Sequence, residues 1–302
     1  MAKVQSELDK LYDSYTEDFD EQKTEKFIAD SERIMRAPAR VLLLRAGLGA
    51  ETKKPFRLLD HGCGTGVVAA CLQESVDKGV LGDSVMLCAD FSESFVKKLN
   101  WRAKKMGWQN VAMRVLDAQK SGLPSGHFSH VTLNFAMHVI PDPEAVAQEA
   151  MRVLQPGGIF AFTVWHKDNA GWVSDLRSSF EALPFDAPLP DPVPMAANGR
   201  LEWVDPETVQ QPLLRCGFED VRVGMEEHVQ RIEDAGDYVK SFGMMKDWMV
   251  SAYWSEESKA EGMVRDGLLD GHIEGHLREK YGAKGWDLTW TYITVTGRKP
   301  KE

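Results

Sequence analysis

The stretch "RLLDHGCGTG", residues 57–66, decides the fold of this chain. An apolar run ends in an acid, and glycines follow at Gly62, Gly64 and Gly66. A strand that ends in such a turn lets a ligand approach the backbone closely. A dinucleotide-binding turn, G-x-G-x-x-G, would place its third glycine where Val67 stands. The Gly-Lys-Ser/Thr ending of a phosphate-binding P-loop is also absent, so the pattern favours another kind of ligand.

The residues around this turn alternate between apolar runs and amphipathic stretches. The alternation predicts an α/β fold with a parallel, doubly wound sheet whose strands are buried on both faces. A turn at 155–158 is expected to separate the last of three helices from the fifth strand. The predicted strands are 57–60, 85–90, 111–117, 130–137 and 159–165, and the predicted helices are 67–77, 92–106 and 142–154.

The rest of the chain divides around this core. Residues 1–50 predict a helical cap, 51–230 the core, 231–284 a helical insertion, and 285–302 a final strand with a short tail. The proline-rich link 183–194 cannot form regular structure. A helix is expected over 206–216, and strands over 218–230 and 286–299.

Composition excludes several classes of protein. The 302 residues are 43% apolar and 27% charged, with a formal net charge of −10. An acidic surface repels a polyphosphate backbone, so we expect no nucleic-acid partner. No secretory signal and no membrane-spanning run are visible, and the four cysteines lack zinc-site spacing. We therefore expect a cytoplasmic protein without a metal, either a monomer or a homodimer.

Four landmarks follow one another in a fixed order. The first is Asp60-x-Gly62-x-Gly64-x-Gly66, and the second is Asp90 at the end of the second predicted strand. The third is Leu116-Asp117-Ala118, and the fourth is "LNFAMHVIPDPEAVAQEAMRVLQPGG", residues 133–158. Over residues 56–165 the sequence resembles the class I S-adenosylmethionine (SAM)-dependent methyltransferases, most closely the ubiquinone/menaquinone-biosynthesis type. Its relatives include fungal secondary-metabolite enzymes, among them thiomethyltransferases of epidithiodiketopiperazines. His61 departs from the family pattern.

The resemblance implies a Rossmann-like methyltransferase sheet, parallel with an antiparallel last strand, that binds SAM and releases S-adenosylhomocysteine. It implies that the glycine backbone lies against the amino-acid part of SAM, that Asp60 holds its ammonium or a water, and that Asp90 accepts both ribose hydroxyls. Phe91 would lie against the adenine, and Asn134 and Phe135 would face the sulfonium. The predicted cofactor residues are Asp60, Gly62, Gly64, Gly66, Asp90, Phe91, Ser92, Asp117, Ala118, Asn134, Phe135 and, from the N-terminal segment, Tyr15.

Methyl transfer from a sulfonium needs alignment and exclusion of water, and a base only if the acceptor must lose a proton. His138, His166 and Tyr15 are the candidate catalytic groups, although His138 equally fits a structural role. The loop 166–169 suggests a polar turn rather than a metal site. His272 and His276, spaced i, i+4, suggest a solvated helix face rather than metal ligands.

The stretch "SFGMMKDWMVSAYW", residues 241–254, predicts a helix rich in methionine and aromatic residues that covers the mouth of the site. Such a lid favours a small, hydrophobic acceptor that is methylated on O, N or S. The predicted acceptor-binding residues are Trp165, Met245, Trp248, Met249 and Tyr253. A protein or peptide methyltransferase, a SAM-binding protein without methyl transfer and a NAD-dependent oxidoreductase are the alternatives.

Overall fold

A computed structural model describes residues 6, 7, 10, 20–261 and 267–302. Its helices are α1 (Glu21–Arg45), α2 (Val67–Ser75), α3 (Lys78–Asp83), α4 (Glu93–Met106), α5 (Pro143–Val153), α6 (Val173–Glu181), α7 (Gln210–Arg215), α8 (Ala235–Tyr253), α9 (Glu256–Ala260) and α10 (Leu268–Tyr281), with a 3₁₀ turn at Leu201–Trp203. Its strands are β1 (Arg57–His61), β2 (Val85–Asp90), β3 (Val111–Val115), β4 (Phe128–Asn134), β5 (Leu154–Trp165), β6 (Glu219–Ile232) and β7 (Trp286–Arg298).

The strands of the described residues form one seven-stranded sheet in the order β3-β2-β1-β4-β5-β7-β6. Strands β1 to β5 pair in parallel, and β7 runs antiparallel to both β5 and β6. At the centre, Leu59 pairs with Leu87 on one side and Val131 on the other, and all three side chains are buried. Helices cover both faces, as parallel strands without a polar face require. The predicted α/β fold is confirmed.

The site is positioned by the crossover between β1 and β4. The chain runs outward from β1 to β3 and then returns to β4 beside β1, which creates a topological switch point. Ligands of open α/β sheets bind at the carboxyl ends of the strands at such a point. His61, Asp90, Asn134 and Trp165 end the strands that meet at this edge.

The β6–β7 hairpin extends beyond this edge of the sheet. Tyr292 of β7 pairs with Trp165 at the end of β5, and β7 begins six residues earlier, at Trp286. Ile232 of β6 pairs with Trp286, so helices α8 to α10 leave and rejoin the sheet beyond the carboxyl ends of the parallel strands. The insertion therefore lies over the switch point.

Helix α1 joins this insertion to the core. The Asp20 side chain caps it by accepting a hydrogen bond from the Lys23 N–H at 2.8 Å. Arg33 pairs with Asp237 of α8 at 2.6 Å, and Arg45 pairs with Glu226 of β6 at 2.6 Å. The predicted helical cap is thus tied to both the sheet and the insertion.

Several predicted boundaries were wrong. Strand β4 ends at Asn134 rather than at residue 137 because Phe135 adopts a left-handed φ of 57°. The expected turn at 155–158 lies within β5 as an irregularity in its pairing with β4. The helix expected over 206–216 begins at Gln210, and that expected over 67–77 ends at Ser75, with α3 following unpredicted.

The prediction of a solvated face for His272 and His276 was also wrong. The Nε2 atom of His272 lies 3.2 Å from the carbonyl oxygen of Ser179, and that of His276 lies 3.2 Å from Ser178 Oγ. The two histidines therefore contact α6 and help to pack α10 against it.

Asp175 on α6 holds this packing together. Its carboxylate is fully buried and accepts hydrogen bonds from Tyr281 Oη at 2.7 Å, from Trp286 Nε1 at 2.8 Å and from Lys280 Nζ at 2.9 Å. One side chain thus joins three elements, α6, α10 and β7. A buried charge is retained only when it is paired and hydrogen-bonded in this way.

We predict that Asp175→Ala lowers the free energy of unfolding by about 3 kcal/mol, because buried donors lose their acceptor. Urea unfolding followed by tryptophan fluorescence measures this change. Asp191→Ala is the matched control, since Asp191 is 86% exposed in its pair with Arg177 and should change stability by less than about 0.5 kcal/mol. Equal effects of the two substitutions would contradict the role given to Asp175.

Candidate active site

A cavity of about 830 Å³ lies between the carboxyl edge of the sheet, α1 and α8. One end is formed by the glycine turn and the ends of β2 and β3, and the other end is largely aromatic. The first end is lined by Gly62, Cys63, Gly64, Thr65, Val67, Asp90, Phe91, Asp117 and Ala118. The second end is lined by Trp165, Asn169, Trp172, Met195, Phe242, Met244, Met245, Trp248 and Trp290.

The turn needs glycine either because a side chain would collide with a neighbour or because the backbone must stay open to a ligand. Gly62 has a φ of +60°, and a Cβ built on it would lie 2.7 Å from the Cβ of Ala136. Gly64 has a φ of +51° with no atom within 4 Å of such a Cβ, so the space before it is open to a ligand. Gly66 begins α2, where a side chain would collide with Leu99, and it does not line the cavity.

Asp90 joins the turn to β2. Its Oδ2 accepts the N–H of Gly64 at 2.9 Å, and its Oδ1 accepts the N–H of Ser92 at 3.0 Å. Burial raises the pKa of this carboxyl, and the backbone donors of Ser92, Gly64 and Phe91 act in the opposite direction. A carboxylate offers about four acceptor positions, so those not used by the backbone remain open to a ligand hydroxyl.

These features fit the nucleoside and amino-acid parts of SAM. The Asp90 carboxylate lines the cavity, the backbone at Gly64 is open, and α2 begins beside the turn, where its N-terminus favours a carboxylate. Phe91, Asp117 and Ala118 line the same end, and 63% of Phe91 is exposed, so an adenine ring can stack on it.

Asn134 and Phe135 lie where the two ends meet. The Oδ1 of Asn134 accepts a hydrogen bond from Thr163 Oγ1 at 2.8 Å, and its Nδ2 donates to the Met35 carbonyl at 3.4 Å. Phe135 stacks on Trp165 with ring centroids 3.9 Å apart. Both residues line the cavity, and their predicted approach to the sulfonium stays a prediction.

Asp60 and Ser92 lie outside the cavity lining. Asp60 is 1% exposed and accepts a hydrogen bond from Thr132 Oγ1 at 2.7 Å, while its Oδ2 has no partner among the described residues. Burial raises its pKa to about 7. Ser92 caps α4 by accepting the Phe95 N–H at 3.4 Å. A direct cofactor contact of either side chain stays a prediction.

The aromatic end is a continuous set of rings. Trp165 lies 4.9 Å from Trp290, and Phe242 lies 5.7 Å from Trp290, measured between ring centroids. Met245 and Trp248 line the cavity from α8, and acceptor binding by them stays a prediction. Met249 is fully buried behind them, and Tyr253 packs in the same apolar cluster without lining the cavity.

Sequence reasoning missed part of this wall. Trp172 precedes α6, Val193 lies in the proline-rich link, which was expected only to connect elements, and Met195 directly follows that link. Trp290 was assigned to a strand of nearly the observed length, but the register of β7 against β5 that carries it into the site was not foreseen. These four residues could have been suspected from the sequence because they are apolar and lie in segments whose sequences otherwise indicate a loop or a strand at the edge of the sheet.

The candidate bases differ in position. His138 lines the cavity, and burial lowers its pKa to about 3. Its Nδ1 has no hydrogen-bond partner among the described residues. His166 does not line the cavity; its Nδ1 accepts the Asp168 N–H at 3.1 Å. Tyr15 lies outside the described residues.

Arg102 ties the glycine turn to the helical cap. Its guanidinium donates to the Thr65 carbonyl at 2.9 Å and forms an ion pair with Glu32 of α1, and only 10% of its side chain is exposed. Thr65 belongs to the turn that lines the cavity. The position of α1 over the first end of the cavity is therefore coupled to the conformation of the glycine turn.

Comparison with known proteins agrees with this geometry. Residues 59–162 match the methyltransferase domain family. The acetylaranotin bis-thiomethyltransferase of Aspergillus terreus is 28% identical over 263 residues, 87% of this chain and 89% of its own length. The demethylmenaquinone methyltransferase of Geobacillus kaustophilus is 36% identical over 107 residues, 35% and 44% of the two chains. The crystal structure of a methyltransferase from Bacillus halodurans superposes with a TM-score of 0.51 at 19% identity, covering 87% of this chain and 99% of that one.

The sheet, the glycine turn and these matches define a class I SAM-dependent methyltransferase. Through residues 59–162 this chain is similar to the methyltransferase domain family, and over most of its length it is similar to a fungal thiomethyltransferase. No described helix has the length and apolar character needed to cross a membrane. Within 20–261 and 267–302, no group of three or more His, Cys, Asp or Glu residues could hold a metal ion.

We predict that Asp90→Ala weakens binding of S-adenosylhomocysteine by about 30-fold or more, because charge-assisted hydrogen bonds to the ligand and to the Gly64 N–H are lost. Isothermal titration calorimetry measures the dissociation constant. Glu93→Ala removes the same charge three residues away on an exposed side chain and serves as the control. Unchanged affinity in the Asp90 variant would overturn the assignment of this end of the cavity.

We also predict that Arg102→Met weakens S-adenosylhomocysteine binding by about tenfold, because the turn loses a buried charge-assisted hydrogen bond. Lys105→Met provides the comparison. Lys105 also joins α4 to α1, through Glu25, but its side chain is 51% exposed and does not reach the turn. If both variants weaken binding equally, the effect arises from the α1–α4 contact and not from the Thr65 carbonyl.

Proposed function

We propose that this methyltransferase transfers the methyl group of SAM to a heteroatom of a hydrophobic small molecule, with a thiol sulfur as the favoured acceptor. The observation that carries the proposal is the two-ended cavity, in which Phe135 borders both the Asp90 end and the ring of Trp165. An acceptor held on the aromatic end is thereby adjacent to a cofactor held at the other end.

SAM supplies a methyl group on a positively charged sulfur, whose departure as a neutral thioether needs no acid. The chain's part is to bind and align. Asp90 and the Gly62–Gly64 backbone hold the cofactor, and the aromatic rings orient the acceptor. The helices α1 and α8 exclude water, which strengthens the nucleophile by removing its hydration shell.

The choice of sulfur rests on the weak basicity of His138, the candidate base that lines the cavity among the described residues. His138 has a pKa of about 3, so its imidazole is neutral at physiological pH and is a poor proton acceptor. A thiol with a pKa near 8.5 ionises partly without help, whereas a phenol near 10 does so far less. The similarity to a bis-thiomethyltransferase supports the same choice.

A protein or peptide acceptor is the second candidate, and a cofactor-binding protein without transfer is the third. A peptide needs an open groove, whereas α1, α8 and the proline-rich link together surround this cavity. The unfilled acceptor positions of Asp90 and the open space at Gly64 favour a working cofactor end. Neither alternative therefore has a specific observation in its favour.

The test is methyl transfer to matched acceptors: 2-naphthalenethiol, (2-naphthyl)methanethiol and 2-naphthol. We predict that at pH 7 both thiols are methylated at least about tenfold faster than the naphthol. The kcat/KM for each thiol should rise with pH to a plateau. The apparent pKa of this pH profile should be higher for (2-naphthyl)methanethiol, which is the more basic of the two. Product formation followed by mass spectrometry gives both quantities.

The same apparent pKa for both thiols would show that a group on the protein, and not the acceptor, must ionise. Transfer to a peptide library but to none of the three small acceptors would favour the second candidate. Tight binding of S-adenosylhomocysteine with no methylated product of any kind would favour the third.

A further inference from the structure

The loop after β5 places one polar side chain in the aromatic end of the cavity. Asn169 is 4% exposed and lines the cavity together with Trp165, Trp172 and Trp290. Its position follows the carboxyl end of a parallel strand, where side chains of open α/β sheets meet ligands. Most of its neighbours on this wall are apolar, so Asn169 is the feature there that needs a chemical explanation.

The loop that carries Asn169 is held rigidly against β7. The N–H of His166 donates to the Thr291 carbonyl at 3.1 Å, and the N–H of Gly171 donates to the Thr289 carbonyl at 3.3 Å. The N–H of Asn169 itself donates to the His166 carbonyl at 2.9 Å. The backbone on both sides of Asn169 is therefore fixed, and its side chain has a defined direction.

The orientation of the Asn169 amide is set by a backbone donor. The N–H of Thr291 donates to Asn169 Oδ1 at 2.9 Å. Because a backbone N–H can only donate, the atom facing it must be the oxygen, and the other arm of the amide must be the NH₂ group. The assignment of nitrogen and oxygen is thus determined by chemistry.

The nitrogen arm is the unusual part. Nδ2 is shielded from solvent and has no hydrogen-bond partner among the described residues. It lies near the ring of Trp290, since a Cβ on Gly171 would be 3.4 Å from Nδ2 and 2.9 Å from that ring. A buried donor without a partner is costly, and native proteins retain few of them without a reason.

We infer that Asn169 is a specificity-determining residue whose Nδ2–H donates to an oxygen of the acceptor. The acceptor class is a hydrophobic ring compound that carries a carbonyl oxygen, as in a lactone, lactam or ketone, besides the nucleophilic atom. The inference rests on the proposed function, which it makes more specific. The rings of Trp165 and Trp290 contact the apolar part of such a molecule, and Asn169 selects molecules with the oxygen. A site built to hydrogen-bond an acceptor discriminates strongly against analogues that lack the group.

The test compares two bicyclic thiols, one with a ring carbonyl (7-mercapto-4-methylcoumarin) and one without (2-naphthalenethiol). Both are titrated calorimetrically into the full-length protein saturated with S-adenosylhomocysteine, so that no turnover occurs. We expect the protein to bind the coumarin thiol about tenfold more tightly than the naphthalene thiol. Asn169→Leu should reduce that preference to about twofold or less and leave the affinity for the naphthalene thiol within about twofold.

Two further variants make the outcome decisive. Asn169→Ala repeats the test with a smaller side chain in case the leucine variant does not fold. Asp168→Asn alters the neighbouring residue, whose side chain is 70% exposed, and should keep the full preference. A side chain that only holds the loop to β7 would, when replaced, weaken binding of both thiols equally.

The outcomes separate this inference from the function on which it rests. Three results would overturn the inference alone, provided that the protein binds S-adenosylhomocysteine. They are no preference between the two thiols, no binding of either thiol, and an unchanged preference in both Asn169 variants. A protein that does not bind S-adenosylhomocysteine overturns the proposed function and the inference with it.

Discussion

The close approach of the β1 turn to the segment after β4 is the constraint on which the site depends. Gly62 and Ala136 are so near that a single added methyl group on Gly62 would lie 2.7 Å from the Ala136 side chain. This contact sets the distance between the two halves of the cavity. On one side the turn continues to Gly64, whose N–H donates to Asp90; on the other, Phe135 has a left-handed backbone and its ring stacks on Trp165. The two ends of the cavity are thus joined by backbone packing at Gly62 and Ala136.

The aromatic end of the cavity is largely apolar, and burial favours the uncharged forms of Asp60, outside the cavity lining, and of His138, which lies on it. Burial moves the pKa of Asp60 up to about 7 and that of His138 down to about 3, so both shifts favour the uncharged form. Asn169 carries no charge at all. A cavity with this character suits a reaction in which a cationic donor becomes neutral, because the protein need not stabilise a new charge.

Much of the cofactor end was predictable from the sequence because it lies on contiguous motifs whose spacing is set by strand and helix geometry. Gly62, Gly64, Asp90, Phe91, Asp117 and Ala118 all line one cavity, and their contacts with the cofactor stay a prediction. The acceptor end was predictable only in part, since it depends on contacts between distant segments. The stripe of Met245 and Trp248 was visible in the helical pattern, whereas the reach of Trp290 depends on the register of β7 against β5. Asn169 was read as part of a polar loop, and only the Thr291 contact reveals its orientation.

The long β6–β7 hairpin has a consequence for how such a protein can change over evolution. The insertion of α8 to α10 is attached to the sheet at two adjacent points, Ile232 and Trp286, which pair with each other. Its length and sequence can therefore vary without shifting the register of any strand that positions Asp90 or the glycine turn. The hairpin therefore allows the helices over the aromatic end of the cavity to change while the strands that carry Asp90 and the glycine turn keep their pairing.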